Sequence, residues 1–265
     1  MKRILVVLPV LILVLFSVVR ALGQSTDPPP DELLARARAS FATFNSALPS
    51  IDCDESIRSF EDQNGKTTNE QRATSLIWVR RQEGNAKEPF REEREFRSVN
   101  GKTYPPGTKL KNPFSLLVNG AFGEDFRWLL SEDAVLCNRY EVLNYRGGLA
   151  LKVSFGESAL KTDTCAKLPT PGVATFWLDR GTWQLMRAEF YYPKDGLRKF
   201  KGFSINTDFG VTPFGGKFYV IPTKVSATLG QASGNDLLVY SAEYSNCHKF
   251  DATMRILPDT IETQR

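Results

Sequence analysis

Over most of the chain beyond residue 50 the apolar residues recur at every second position, and no other feature limits the fold as tightly. Successive side chains of a strand face opposite sides, so this period describes strands with one buried face. Ile51, Cys53, Glu55 and Ile57 open the first such stretch, which runs to an Asn64-Gly65 turn. Residues 76–80 and 90–99 read as the next two strands, the second ending at Asn100-Gly101. Within it, Arg91-Glu92-Glu93-Arg94-Glu95 reads as a solvated face with cross-strand ion pairs, a catalytic carboxylate pair being the rarer alternative. Strands resume at 140–143 and 149–155, joined by an Arg146-Gly147-Gly148 turn, with Leu149, Leu151, Val153 and Phe155 on one side. Residues 172–179 and 183–192 form a hairpin about Asp179-Arg180-Gly181, and 200–208, 219–229 and 237–244 supply three more strands.

Two stretches depart from this period. Leu34, Ala37, Phe41, Phe44 and Leu48 recur at steps of three and four, with Asp31 and Glu32 in the first turn and Pro49 as the stop. That is an amphipathic helix over 31–48. Residues 103–136 lose the strand rhythm after a turn at Tyr104-Pro105-Pro106-Gly107. Short helices are expected around Leu116-Leu117 and over 126–130, as a lid over one end of a sheet. About ten strands with one long helix make an α+β protein dominated by antiparallel sheet.

The N-terminus fixes the compartment. Lys2 and Arg3 precede an apolar run over 4–19, Arg20 ends it, and Ala21-Leu22-Gly23 supplies small residues for a signal peptidase. Residues 1–23 are therefore expected to be a cleaved signal peptide, an uncleaved anchor being the alternative. Residues 24–30 form a stiff Pro-rich linker and 31–265 a single domain. The mature protein should be exported, periplasmic or extracellular, and not membrane-spanning. Losing Lys2, Arg3 and Arg20 lowers the basic count from 34 to 31 against 30 acids, so the net charge falls from +4 to +1. A near-neutral surface argues against nucleic acid or anionic membrane as partner.

In an oxidising compartment four cysteines suggest two disulfides. Cys137–Cys165 would close the base of a hairpin and Cys53–Cys247 would tie the first strand to the last, the other two connectivities staying open. No two cysteines have zinc-ligand spacing and His248 is the single histidine, so neither a metal nor a cofactor is expected. His248 is also the one imidazole available to a nucleophile-histidine scheme, and it reads as a strand-end residue. Gly210–Lys217 nearly spells a phosphate loop, but Gly216 stands in place of the lysine and Phe218 in place of the hydroxyl, so it reads as a turn.

Aromatic residues make up 11% of the chain, Trp78, Trp128, Trp177, Phe190, Tyr219 and Tyr240 among them. One helix covers only part of a long curved sheet's apolar face. The uncovered part would form a groove for an acyl chain or an apolar peptide.

The segment GVATFWLDRGTWQLMRAEF over 172–190, with FYVIPTKV over 218–225 and VYSAEYSN over 239–246, resembles the periplasmic lipoprotein-carrier superfamily, the half-barrel of the lipoprotein-localisation factors. It is also similar to exported bacterial proteins with the same Trp-Leu-Asp hairpin. The resemblance covers the last hundred residues well and residues 31–165 in outline. It implies a strongly curved half-barrel sheet around plug helices, and acyl-chain binding by apolar groove residues without a catalytic group. Residues 103–170 are longer and more irregular than a minimal carrier needs. Trp177, Phe190 and Tyr219 are the candidate groove lining. The expected function is a non-enzymatic binder or carrier of a lipid or lipoprotein acyl chain. The alternatives are an interaction module that binds an envelope protein through its sheet face or edge, and an exported hydrolase.

Overall fold

The computed structural model describes residues 28–82, 90–108, 110, 113–122, 130, 137–145, 148–155, 172–193, 200–231 and 236–250. Helix α1 spans Pro30–Ala47. Proline suits the first helical position because that N–H has no intrahelical partner, and Asp31 and Glu32 face the positive end of the helix dipole. Leu33, Leu34, Ala37 and Phe41 are buried, as is Leu48 just past the last turn. Leu33 extends the expected stripe by one position.

Eleven strands follow: β1 (Ile51–Gln63), β2 (Lys66–Arg81), β3 (Phe90–Val99), β4 (Lys102–Thr103), β5 (Arg139–Tyr145), β6 (Gly148–Phe155), β7 (Gly172–Asp179), β8 (Leu185–Pro193), β9 (Phe200–Phe214), β10 (Lys217–Gln231) and β11 (Leu237–Lys249). They form one antiparallel sheet in the order β4-β3-β2-β1-β11-β10-β9-β8-β7-β6-β5. Two meanders, β1 to β4 and β5 to β11, thus join where the first strand pairs with the last. A disulfide between Cys53 and Cys247 crosses this seam and links residues 194 apart in sequence. Cys137 is also disulfide-bonded; Cys165 lies outside the described residues.

Among the described residues the strand count exceeds the expected ten by the two-residue β4, and several strands run longer than their apolar patterns. β2 begins at Lys66, not at residue 76, because its polar half pairs with β1 beyond the core (Asp62↔Thr67, Gln63↔Lys66). Glu70 bridges Arg58 at 3.0 Å and Arg72 at 2.7 Å there. β9 continues through Gly210 to Phe214, so the stretch read as a turn is mostly strand. Only Gly215 and Gly216, at φ 58° and 72°, turn the chain. Trp183, expected at the start of β8, precedes that strand.

The topology dictates what covers the sheet. β4 and β5 are its two opposite edges yet successive in sequence, so the intervening chain must cross from edge to edge. It carries Phe114, Val118, Ala121, Phe122 and Leu130 into the core. Phe114 lies 5.8 Å from Phe96, and Phe122 meets Tyr244 edge-on at 5.3 Å. Residues 113–122 pack without helix, which corrects the short helix expected at Leu116-Leu117. Gly120 takes φ 83°, and a side-chain carboxylate, not a helical carbonyl, accepts the amides of Gly120 and Phe122. The second expected plug helix, over 126–130, falls outside the described residues except for Leu130.

Candidate functional site

α1 and the crossing segment cover different parts of the same sheet face, and an open groove of about 450 Å³ remains at one end. Its first wall is the polar side of α1, including Ala39, Thr43 and Ala47; its second is the β7–β8 turn, with Trp183 and Leu185; its third is the start of β10, with Phe218, Tyr219 and Val220. The volume falls in the range of small-molecule sites.

The β7–β8 turn is built to present its tryptophan. One oxygen of Asp179 accepts the amides of Gly181 and Thr182 at 2.9 and 2.7 Å and the Thr182 hydroxyl at 2.9 Å. The Thr182 amide and hydroxyl hold the Asp179 carboxyl below its usual range. The Trp183 amide donates to the Asp179 carbonyl at 2.9 Å while Trp183 itself takes φ 60°. A left-handed tryptophan costs about 1–3 kcal/mol, so the surrounding turn must impose it. The Arg36 guanidinium sits 4.0 Å above the indole and also pairs with Glu32. Across the groove, Phe214 stacks on Tyr219 at 4.2 Å and 6°, which fixes that ring. Phe218 beside it is 78% exposed.

The three residues proposed from sequence do not meet. Tyr219 lines the groove. Phe190 is buried, edge-on to Phe176 at 6.0 Å. Trp177 lies on the opposite sheet face, its ring 5.8 Å from the Arg187 guanidinium, while its neighbours Phe176 and Leu178 point into the core. Trp128 is outside the described residues. Trp183, Phe218 and the polar side of α1 escaped the sequence reading. Asp179 followed by Gly181-Thr182 was the available sign, since an Asx-type turn of that length removes Trp183 from the strand.

Under the crossing segment lies a second constellation. Glu55, with a fully buried side chain, accepts the Ser75 hydroxyl at 2.6 Å and the Arg94 Nε at 2.9 Å. Arg94 also donates to Asn119, and its Nη2 lies 3.8 Å from Glu92. Glu92 accepts the amides of Gly120 and Phe122 at 3.0 and 3.1 Å. The run Arg91–Glu95 is therefore divided by strand alternation. Glu93 pairs outside with Arg80 and Arg91, while Glu92 and Arg94 face inward with only 8% and 7% of their side chains exposed. That corrects the reading of a uniformly solvated face. Burial raises the Glu92 pKa against the opposing pull of Arg94. Burial is the largest influence on Arg94 and works against its charge, but Glu55, Tyr244 and Tyr240 together outweigh it, so its pKa rises. The hydroxyls of Tyr240 and Tyr244 are buried nearby without hydrogen-bond partners among the described residues, and burial lifts both pKa values. The cluster fastens the crossing segment to β1, β2 and β3.

His248 is exposed at the end of β11, opposite Asp52. Among the described residues no group of three or more His, Cys, Asp or Glu side chains is arranged to hold a metal ion. No described helix is long and apolar enough to cross a membrane.

No protein-family model matches the chain, and a comparison with curated proteins finds no match. Solved structures similar to it include a LolA superfamily protein from Nitrosomonas europaea, 15% identical, TM-score 0.36, covering 89% of this chain and 98% of that one. A DUF1329 family protein from Desulfovibrio piger is 10% identical, TM-score 0.38, covering 85% and 95%. MucB in complex with MucA is 9% identical, TM-score 0.21, covering 84% and 100%.

Proposed function

We propose that this chain is an exported, non-enzymatic binder or carrier of a hydrophobic ligand, an acyl chain or lipid, held between α1 and the β7–β8 and β9–β10 turns. The observation that carries the reading is the groove: open, roomy enough for a small ligand, and walled by Trp183, Leu185, Tyr219 and the exposed Phe218. An exposed ring of that size gains from any apolar partner that removes it from water. The leader at residues 1–23 directs the chain out of the cytoplasm, and the Cys53–Cys247 disulfide suits the oxidising compartment it would reach. The mature chain then works in the periplasm or beyond the cell as one half-barrel-like domain. Among the described residues the buried carboxylates Glu55 and Glu92 lie under residues 113–122 and not in a polar cleft, which lends the hydrolase reading no support.

Ala39 is exposed on α1 and lines the groove. Ala39→Phe fills the space and costs the helix only about 0.5 kcal/mol in propensity. It should weaken binding of a fluorescent fatty acid at least about tenfold, equivalent to about 1.4 kcal/mol, and leave the thermal midpoint within about 2 °C of the parent. Unchanged affinity, or no binding by the parent chain, would remove the groove from the account.

A further inference from the structure

The sheet is forked. β10 pairs with β11 only from Lys224 to Gly230, whereas its first residues pair with β9 alone. Beyond Glu243, β11 pairs only with β1. Pro222 has no N–H to give to a ladder, and Asn246 takes φ 48°, so the strands part. Because Gly215-Gly216 is a two-residue turn, Phe214 and Lys217 close the hairpin as a hydrogen-bonded pair. Alternation then sends the N–H and C=O of Tyr219 and Ile221 to β9. It leaves those of Phe218 and Val220, and the carbonyl of Pro222, pointing into the fork. No hydrogen bond reaches those outward groups from the described residues.

This edge has a definite chemistry. Backbone donors and acceptors in strand spacing are satisfied by another backbone, not by an acyl chain. The apolar side chains beside them are exposed: Phe218 at 78% and Val211, diagonally across on the same face, at 57%. Residues 209–231 contain no Asp or Glu. Lys217 stands at the hairpin tip, and the Lys249 side chain approaches it, 3.9 Å from where a Gly215 Cβ would lie. Pro222 and Lys217 bracket the window, so only a short strand fits between them.

We infer that the forked edge of β10 takes up a short, extended, acidic segment of another protein by strand addition. The added backbone pairs with Phe218 and Val220, its alternate apolar side chains lie against Phe218 and Val220, and its carboxylates meet Lys217. The edge shares Phe218 and Val220 with the third wall of the groove, but its backbone groups call for a peptide and not an acyl chain.

The test uses the full mature chain and a fluorescein-labelled heptapeptide of alternating valine and threonine flanked by aspartates, read by anisotropy. Saturable binding is expected. Losing one backbone hydrogen bond is worth about tenfold, so methylating the central valine nitrogens should weaken binding at least that much. Val220→Pro, which removes an outward amide, should do the same, and Lys217→Glu should weaken it further. The methylated peptide keeps the test decisive even if Val220→Pro folds poorly. Ala39→Phe, on α1 and not on β10, should weaken fatty-acid binding at least about tenfold and spare peptide binding, which separates the failure of this inference from that of the acyl-chain reading. Absent saturation or indifference to N-methylation would overturn it. So would at least about tenfold tighter binding once residues 251–265 are deleted, since the chain's own tail would then be the occupant. A dimer that the peptide disperses would overturn it too, in favour of a second copy.

Discussion

Arg94→Met should unfold about 3–5 kcal/mol more easily than the parent chain in denaturant, because it leaves buried carboxylates without their cation. Glu55 has no exposed side-chain surface and spends its oxygens on Ser75 and Arg94. Removing Arg94 leaves Glu55 with one hydroxyl and leaves Asn119 unfastened, so residues 113–122 keep only the hydrogen bonds to Glu92 and the Phe114–Phe96 contact among the described links to β3. Methionine restores the volume of the side-chain stem, which confines the loss to charge and hydrogen bonds. A loss under about 1 kcal/mol would mean that water reaches the cluster and screens it.

The same cluster sets a pH dependence. Burial raises the Glu92 pKa above the ordinary 4.5, so in the window between the two values the native chain binds more protons than the unfolded chain. Stability is then greatest at or below that ordinary value and falls as pH rises through the native one. Glu92→Gln should flatten this slope, and Arg94→Met should carry the fall to higher pH, since Arg94 is the largest influence opposing the rise.

Reducing Cys53–Cys247, or replacing both residues by alanine, should lower the thermal midpoint by about 10 °C, reflecting a loss of about 2–5 kcal/mol. Chain entropy alone sets a ceiling of about 5 kcal/mol for a loop this long. The bond's position makes a loss near that ceiling reasonable. It crosses the one seam between the meanders, and there β11 has already parted from β10, so β1 is its only ladder partner. Amide exchange over 244–249 should accelerate more in the reduced protein than exchange over 224–230, which both neighbours protect. Equal acceleration in the two stretches would show that the disulfide acts only through the unfolded chain.

What the sequence revealed follows from where apolar contrast exists. β1, β3, β6 and β7 alternate against a buried face and read correctly, as do the turns at Asn64-Gly65 and Asn100-Gly101, whose positive φ values those residue pairs tolerate. The helix was equally clear. The polar half of β2 was not, because paired residues beyond the core carry no contrast between faces. β9 was cut short at Asp208 because the glycines and proline of Gly210–Gly216 imitate a loop. Arg91–Glu95 shows a deeper limit. A run of charges says nothing about which alternate members turn inward, and only Glu55 and Ser75 on neighbouring strands decide that Arg94 does. The groove had the weakest trace, since it is made by three segments far apart in sequence. Tyr219 stood out in the sequence through its aromatic ring, whereas Ala39 and Thr43 lie on the helix face that looks merely solvated.

The most direct test of the central claim is native mass spectrometry of the mature protein purified from an envelope fraction, followed by organic extraction. The account predicts a bound mass that dissociates, extracts as lipid and is missing from Ala39→Phe prepared in parallel. A bare mass that stays bare after incubation with mixed envelope lipids would contradict it.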